Sequence, residues 1–209
     1  MYANILFGFQ IIVAWLLIIP QTLHILSGKT RGLSLAMFVI FLAYLALSLA
    51  LAINSYKEKK EQNRKYLIIV LGQWFILISA MLILSIGRTT WSEKDSFFCV
   101  SVLIISVITV MAFKGIGNPY CKGLLSIWCK GLSQLWLVYS MISAGSSEGI
   151  PAMTIFAGHA SNWPRLIQVI AAGKNGGWDR STKGLLMGEL GNVITWTTVT
   201  ITWTILRVL

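Results

Sequence analysis

Long apolar runs recur along the whole chain, and the charged residues are confined almost entirely to the short gaps between them. A membrane span needs about 20 mostly apolar residues, and such runs fall at 4–26, 33–54, 66–87, 96–113, 123–144, 150–173 and 185–206. Only 11% of the 209 residues are charged, against about 25% in a soluble domain. In lipid each backbone N–H and C=O must be bonded inside its own segment, so helices are expected throughout. The Thr-rich stretch 195–204 favours a strand on propensity alone. Its length and the impossibility of an open strand edge in lipid decide for helix. Residues 4–26 are too long for the apolar core of a signal peptide, and further runs follow, so a retained first span is expected.

The chain carries 17 Lys and Arg against 7 Asp and Glu, a net charge of +10. In a soluble protein that excess would point to nucleic acid. Here the basic residues flank apolar runs, so the lipid bilayer with its anionic headgroups is the expected partner and nucleic acid is not. Gaps after spans 2, 4 and 6 hold ten of them: Lys57, Lys59, Lys60, Arg64, Lys65, Lys114, Lys122, Lys174, Arg180 and Lys183. The opposite side holds five: Lys29, Arg31, Arg88, Lys94 and Arg207. The positive-inside rule then places the even gaps and the N-terminus in the cytoplasm and the C-terminus outside. With no N-x-Ser/Thr sequon, the expected location is the bacterial inner (cell) membrane, as a multi-pass protein. Cys99, Cys121 and Cys129 form no CxxC pair and no metal spacing with His24 or His159. They read as small apolar fillers, and neither cofactor nor metal is expected.

A repeat is visible in the punctuation. Gly32-Leu33-Ser34 leads into span 2 and Gly149-Ile150-Pro151 leads into span 6, an offset that brings Leu71-Gly72-Gln73 near Met187-Gly188-Glu189. The expected fold is therefore an all-α membrane protein of seven transmembrane helices, arranged as two three-helix bundles joined by a linker helix. Residues 1–90 form the first bundle, 91–121 the linker and 122–209 the second bundle. A single crossing between the halves makes them parallel repeats, a plan used by transporters.

Pro20-Gln21, the loop Gly28-Lys29-Thr30-Arg31 and then Gly32-Leu33-Ser34 resemble the PQ-loop motif. PQ-loop proteins include the SWEET and SemiSWEET sugar transporters, lysosomal exporters of cystine and cationic amino acids, and the KDEL receptor. The resemblance implies the three-plus-one-plus-three plan over the whole chain and a hinge at Pro20 and Gln21. In the second half Ser133-Gln134 stands where Pro-Gln would be sought, while Pro164 interrupts span 6 and is the second expected hinge. On residues alone, Pro20 also reads as the approach to a helix end.

Three charges lie inside the runs: Lys130, Arg165 and Glu189. A charge at the bilayer centre costs about 2.5–3.5 kcal/mol on insertion scales, so each calls for a partner or a cavity. At 1.5 Å per residue they sit roughly 7–12 Å from the even-gap side, with Gln73 at roughly 10 Å. Helical spacing groups Glu189, Asn192, Thr195 and Trp196 on one face, His159, Asn162 and Trp163 on another with Arg165 beside it, and Lys130 with Gln134. Three polar faces in one bundle suit a water-filled substrate cavity, with Trp163 and Trp196 as flat walls. The alternative is that Lys130 and Arg165 snorkel to headgroups and Glu189 neutralises one of them. His159 either carries a proton, giving proton coupling, or is a satisfied neutral side chain.

No Gly-rich phosphate loop, paired intramembrane carboxylates or His-rich metal spacing occurs, and Ser161 and His159 face apart on one helix, so no enzyme is expected. The expected function is secondary transport of a small polar solute, amino-acid-like or anionic with a sugar as the remaining option, by alternating access. A homo-oligomer is left open. The competing expectation is a non-transporting receptor or scaffold on the same fold.

Overall fold

The computed structural model describes residues 2–60 and 62–209; the side chains of residues 2–6, 59 and 63, Lys59 of the charge count among them, lie outside that description. The described residues are helical with no strand, the Thr-rich stretch included. The helices are α1 (Tyr2–Leu26), α2 (Leu35–Lys59), α3 (Gln62–Ser85), α4 (Glu93–Ala112), α5 (Pro119–Ser126), α6 (Leu132–Ala144), α7 (Ala152–Gly176) and α8 (Arg180–Val208). A π-helical segment, Ile127–Gly131, joins α5 to α6 without a break, so the elements make seven rods.

Local chemistry places the ends. Ser34 caps α2, its Oγ accepting from the Ala36 N–H at 3.2 Å. Ser92 and Asp95 form a reciprocal capping box on α4, satisfying two of the N–H groups a helix start leaves free. Asn118 caps α5 with Pro119 at its first position, where a missing N–H costs nothing. Gly145 ends α6 in the left-handed region at φ 57°, where a Cβ would be strained. Asp179 caps α8 by accepting from the Thr182 N–H at 2.7 Å.

Helix α3 packs against both α1 and α2, and α8 packs against both the α5–α6 rod and α7. Between these triples, α1 meets α7, and α2 meets α6 and the π segment. Helix α4 lies against α2 and against α5 and the π segment. Small residues make the α5–α8 contact close. A Cβ on Gly184 would stand 2.3 Å from the Pro119 carbonyl oxygen, and one on Gly123 would stand 2.3 Å from that of Gly184. Gly184 and Gly188 are a small-xxx-small pair, the spacing that lets membrane helices approach backbone to backbone.

One core runs through both triples, from Ala14, Ile18 and Phe38 through Trp74 and Ile78 to Leu137, Met141, Ile155 and Trp196. A second, smaller core seats α4, with Phe98 and Val102 against Ala36 and Ile40. The outside is apolar as well. Ile76 and Ile83 of α3 and Phe97 and Met111 of α4 are each at least two-thirds exposed. Such a surface is unstable in water and ordinary in lipid. Among the described residues, four segments are long and apolar enough to cross a membrane: Phe7–Leu26, Leu35–Glu58, Arg64–Ser85 and Glu93–Ala112. The other three rods carry the polar residues described next, which lowers their apolarity.

Candidate functional site: a charged central cavity

A cavity of about 580 Å³ lies between the two triples, lined by residues of α1, α2 and α3 on one side and of α5, the π segment, α6, α7 and α8 on the other. At one end it is shut by two loops that interlock. The Gly149 N–H donates to the Arg31 carbonyl at 2.8 Å, and Gln21 Nε2 donates to the Gly149 carbonyl at 2.7 Å. A Cβ on Gly32 would lie 2.0 Å from the Ser146 carbonyl oxygen, and Gly32 itself has φ +79°, so both space and conformation require glycine there. The two glycines that punctuate the sequence repeat thus lie at this crossing, each against the other's loop. At the opposite end, Lys122, Gln168 and Leu185 line the cavity and are themselves exposed, so it reaches the surface there.

Of the expected solute-binding residues, Lys130, Gln134, Asn162, Arg165, Glu189, Asn192 and Trp196 all line the cavity. Lys130 sits in the π segment, is only 9% exposed, and places Nζ 5.2 Å from the centre of the Tyr44 ring on α2. That cation–π contact offsets part of its desolvation without neutralising it. Arg165 makes no hydrogen bond or ion pair among the described residues, and Glu189 Oε2 is buried without a partner. The alternative in which Glu189 neutralises Lys130 or Arg165 is therefore corrected: no such ion pair forms.

A chain of amides links three helices across the wall. Gln134 Nε2 donates to Asn192 Oδ1 at 2.6 Å, and Asn192 Nδ2 donates to Asn162 Oδ1 at 2.7 Å. Thr195 Oγ1 donates to Gln134 Oε1. Each member fixes the next, so the wall is pre-shaped. Trp196 anchors its Nε1 on the Ile155 carbonyl at 3.2 Å and lies in a notch left by Gly158, where a Cβ would stand 2.1 Å from the ring.

Compared with protein-family models, curated proteins and solved structures, this chain matches none.

Three expected site residues do not line the cavity. Gln73 turns onto α1, its Nε2 donating to the Ile11 carbonyl at 3.1 Å. Trp163 is 47% exposed and away from the cavity. His159 Nε2 is hydrogen-bonded to Thr200 Oγ1 at 2.8 Å on α8, the satisfied alternative. Of the expected hinges, Gln21 reaches the cavity, is 1% exposed, and keeps Oε1 buried without a partner. Helices α1 and α7 run unbroken through Pro20 and Pro164, neither of which lines the cavity.

Sequence reasoning missed two features. Tyr44, the partner of Lys130, lies in a uniformly apolar run that gives no sign of it. Asp95 lay unremarked in a gap, yet its carboxylate ties three elements together. Its Oδ1 accepts from Ser34 Oγ at 2.7 Å and Trp136 Nε1 at 2.9 Å, and its Oδ2 from Ser92 N–H at 3.0 Å and Ser92 Oγ at 2.7 Å. The Ser92-x-x-Asp95 spacing was the available signal.

Proposed function

We propose that this protein is a secondary transporter moving a small polar metabolite across a membrane by alternating access through the central cavity. The observation that carries this reading is a roughly 580 Å³ cavity between two helix triples, large enough for a metabolite and walled by charges without protein ion-pair partners. Charges at membrane depth are costly unless a water path or a ligand uses them.

The reading includes seven crossings, a three-plus-one-plus-three arrangement and kinship with the PQ-loop plan. Both triples place their third helix against the first two, and the inter-triple contacts α1–α7 and α2–α6 are counterparts under an exchange of halves. Pro20 and Pro164 would act as hinges, since each lacks the N–H that would bond the carbonyl four residues back. The even gaps would face the cytoplasm of a bacterial cell, so the cavity would be open inward. Proton coupling, if present, would run through Glu189, because His159 is held by Thr200.

The test is counterflow in proteoliposomes loaded with a mixture of small metabolites, followed by mass spectrometry of what exchanges. Exchange of one or a few solutes, absent from empty liposomes, is expected. Saturable binding with no exchange would replace this reading by a receptor.

A further inference from the structure

Resting on that reading, we infer that the solute is an organic acid of net negative charge, selected over neutral sugars and over zwitterions of the same size. The inner wall holds two cations, Lys130 and Arg165, and one carboxylate, Glu189. Neither cation has a protein carboxylate partner, and a third, Lys122, stands exposed at the mouth. The wall therefore carries one positive charge in excess of its carboxylate, in a confined cleft between apolar helices where charges are screened less than at an open surface. A neutral sugar or a zwitterion would leave that charge in place, whereas an anion removes it.

The donors converge on one part of the wall. Asn162 spends its Oδ1 on Asn192, and its Nδ2 donates to no group among the described residues. Arg165 is three residues further along α7, on the same face, so amide and guanidinium donors lie side by side. A guanidinium fork beside an amide N–H₂ matches a carboxylate or phosphate oxygen pair. The buried oxygen without a partner, Glu189 Oε2, has the opposite need. It calls for a donor on the same solute, a hydroxyl or an ammonium.

The experiment compares acids with neutral or zwitterionic ligands, glutamate and glutamine being a near-isosteric pair. Purified protein is titrated with glutamate and glutamine, with malate, 3-phosphoglycerate and glucose, and with phosphatidylglycerol micelles, reading the melting temperature. Counterflow is run in parallel. At least one soluble acid should raise the melting temperature saturably, with glutamine and glucose inactive. Lys130→Met and Arg165→Gln should each weaken that acid by about tenfold or more. In the absence of ligand, both variants should melt no lower than wild type, because each removes an uncompensated charge. The inference is overturned if glutamine or glucose binds as well as the acids, if none of the acids binds, or if phosphatidylglycerol alone stabilises. It is equally overturned if both variants lose stability while retaining affinity. Selective acid binding without counterflow would keep the charge selectivity and remove the transport reading, so the two failures are separable.

Discussion

At the scale of single residues, the cavity wall depends on which charges lack partners and which side chains fit a notch. Glu189 forms no ion pair, so Glu189→Gln should leave the melting temperature nearly unchanged, within about 1 kcal/mol of wild-type stability. Breaking a buried ion pair would instead cost about 3–5 kcal/mol. Counterflow by the same variant should fall by about tenfold or more, since the carboxylate that accepts from the solute's hydroxyl or ammonium is gone. Full counterflow in a stable Glu189→Gln protein would remove the carboxylate from the site. Trp196 gives a second test. At Gly158 a Cβ would meet the indole ring at 2.1 Å, so Gly158→Ala must displace Trp196 from its notch. We expect a loss of about 1–3 kcal/mol by thermal or denaturant unfolding, and an unchanged stability would mean that the ring moves freely.

At the scale of elements, helix centres were legible from the apolar runs and helix ends less so. The run 33–54 became α2 (Leu35–Lys59) and 185–206 became α8 (Arg180–Val208), each extending five residues into a polar gap, because a helix continues to its cap and not to the edge of its apolar stretch. Faces were legible to within about one residue. On α7 the cavity takes Thr154, Gly158, Ser161, Asn162, Arg165, Gln168 and Val169, a helical stripe. His159 and Trp163 lie one position round and fall outside it. Which neighbours of Asn162 shared its face could not be decided from 3.6-residue periodicity alone, because α7 is polar over much of its circumference. The π segment was not legible: π turns have no composition signal and frequently mark functional sites. It shifts the register between α5 and α6 where Lys130 sits. The glycines of α8 were readable and passed over. Because the Gly184 Cβ position meets the Pro119 backbone at 2.3 Å, Gly184→Ala should force α5 away from α8 and cost about 1–3 kcal/mol in unfolding measurements. A neutral substitution would contradict backbone-close packing.

At the scale of the molecule, the charge asymmetry and the cavity make linked statements. On the proposed orientation, argued from ten basic residues beside the even gaps against five opposite, the α2–α3 turn would face the cytoplasm. A Gln62→Cys variant lacking Cys99, Cys121 and Cys129 should resist an impermeant thiol reagent in intact cells and react after permeabilisation. Labelling in intact cells would reverse the orientation. The cavity itself was foreshadowed by Lys130, Arg165 and Glu189, because intramembrane charges need somewhere to go. Its closed end was not, since the Gly32 and Gly149 loops are far apart in sequence and meet only once both triples are assembled. On the transport reading, a water-filled vestibule runs from the Lys122 end to the crossed loops. Ser48 and Ser161 line it, are part-exposed, and each differs from cysteine by one atom; Ile76 faces outward and is 67% exposed. In proteoliposomes of known orientation, the native cysteines having been removed, the most direct measurement is the rate at which a membrane-impermeant thiol reagent modifies Cys at these three positions. Rapid labelling of Ser48→Cys and Ser161→Cys from the even-gap side alone, with Ile76→Cys unreactive, is the expected result. Equal labelling from both sides, or none at either cavity position, would contradict it.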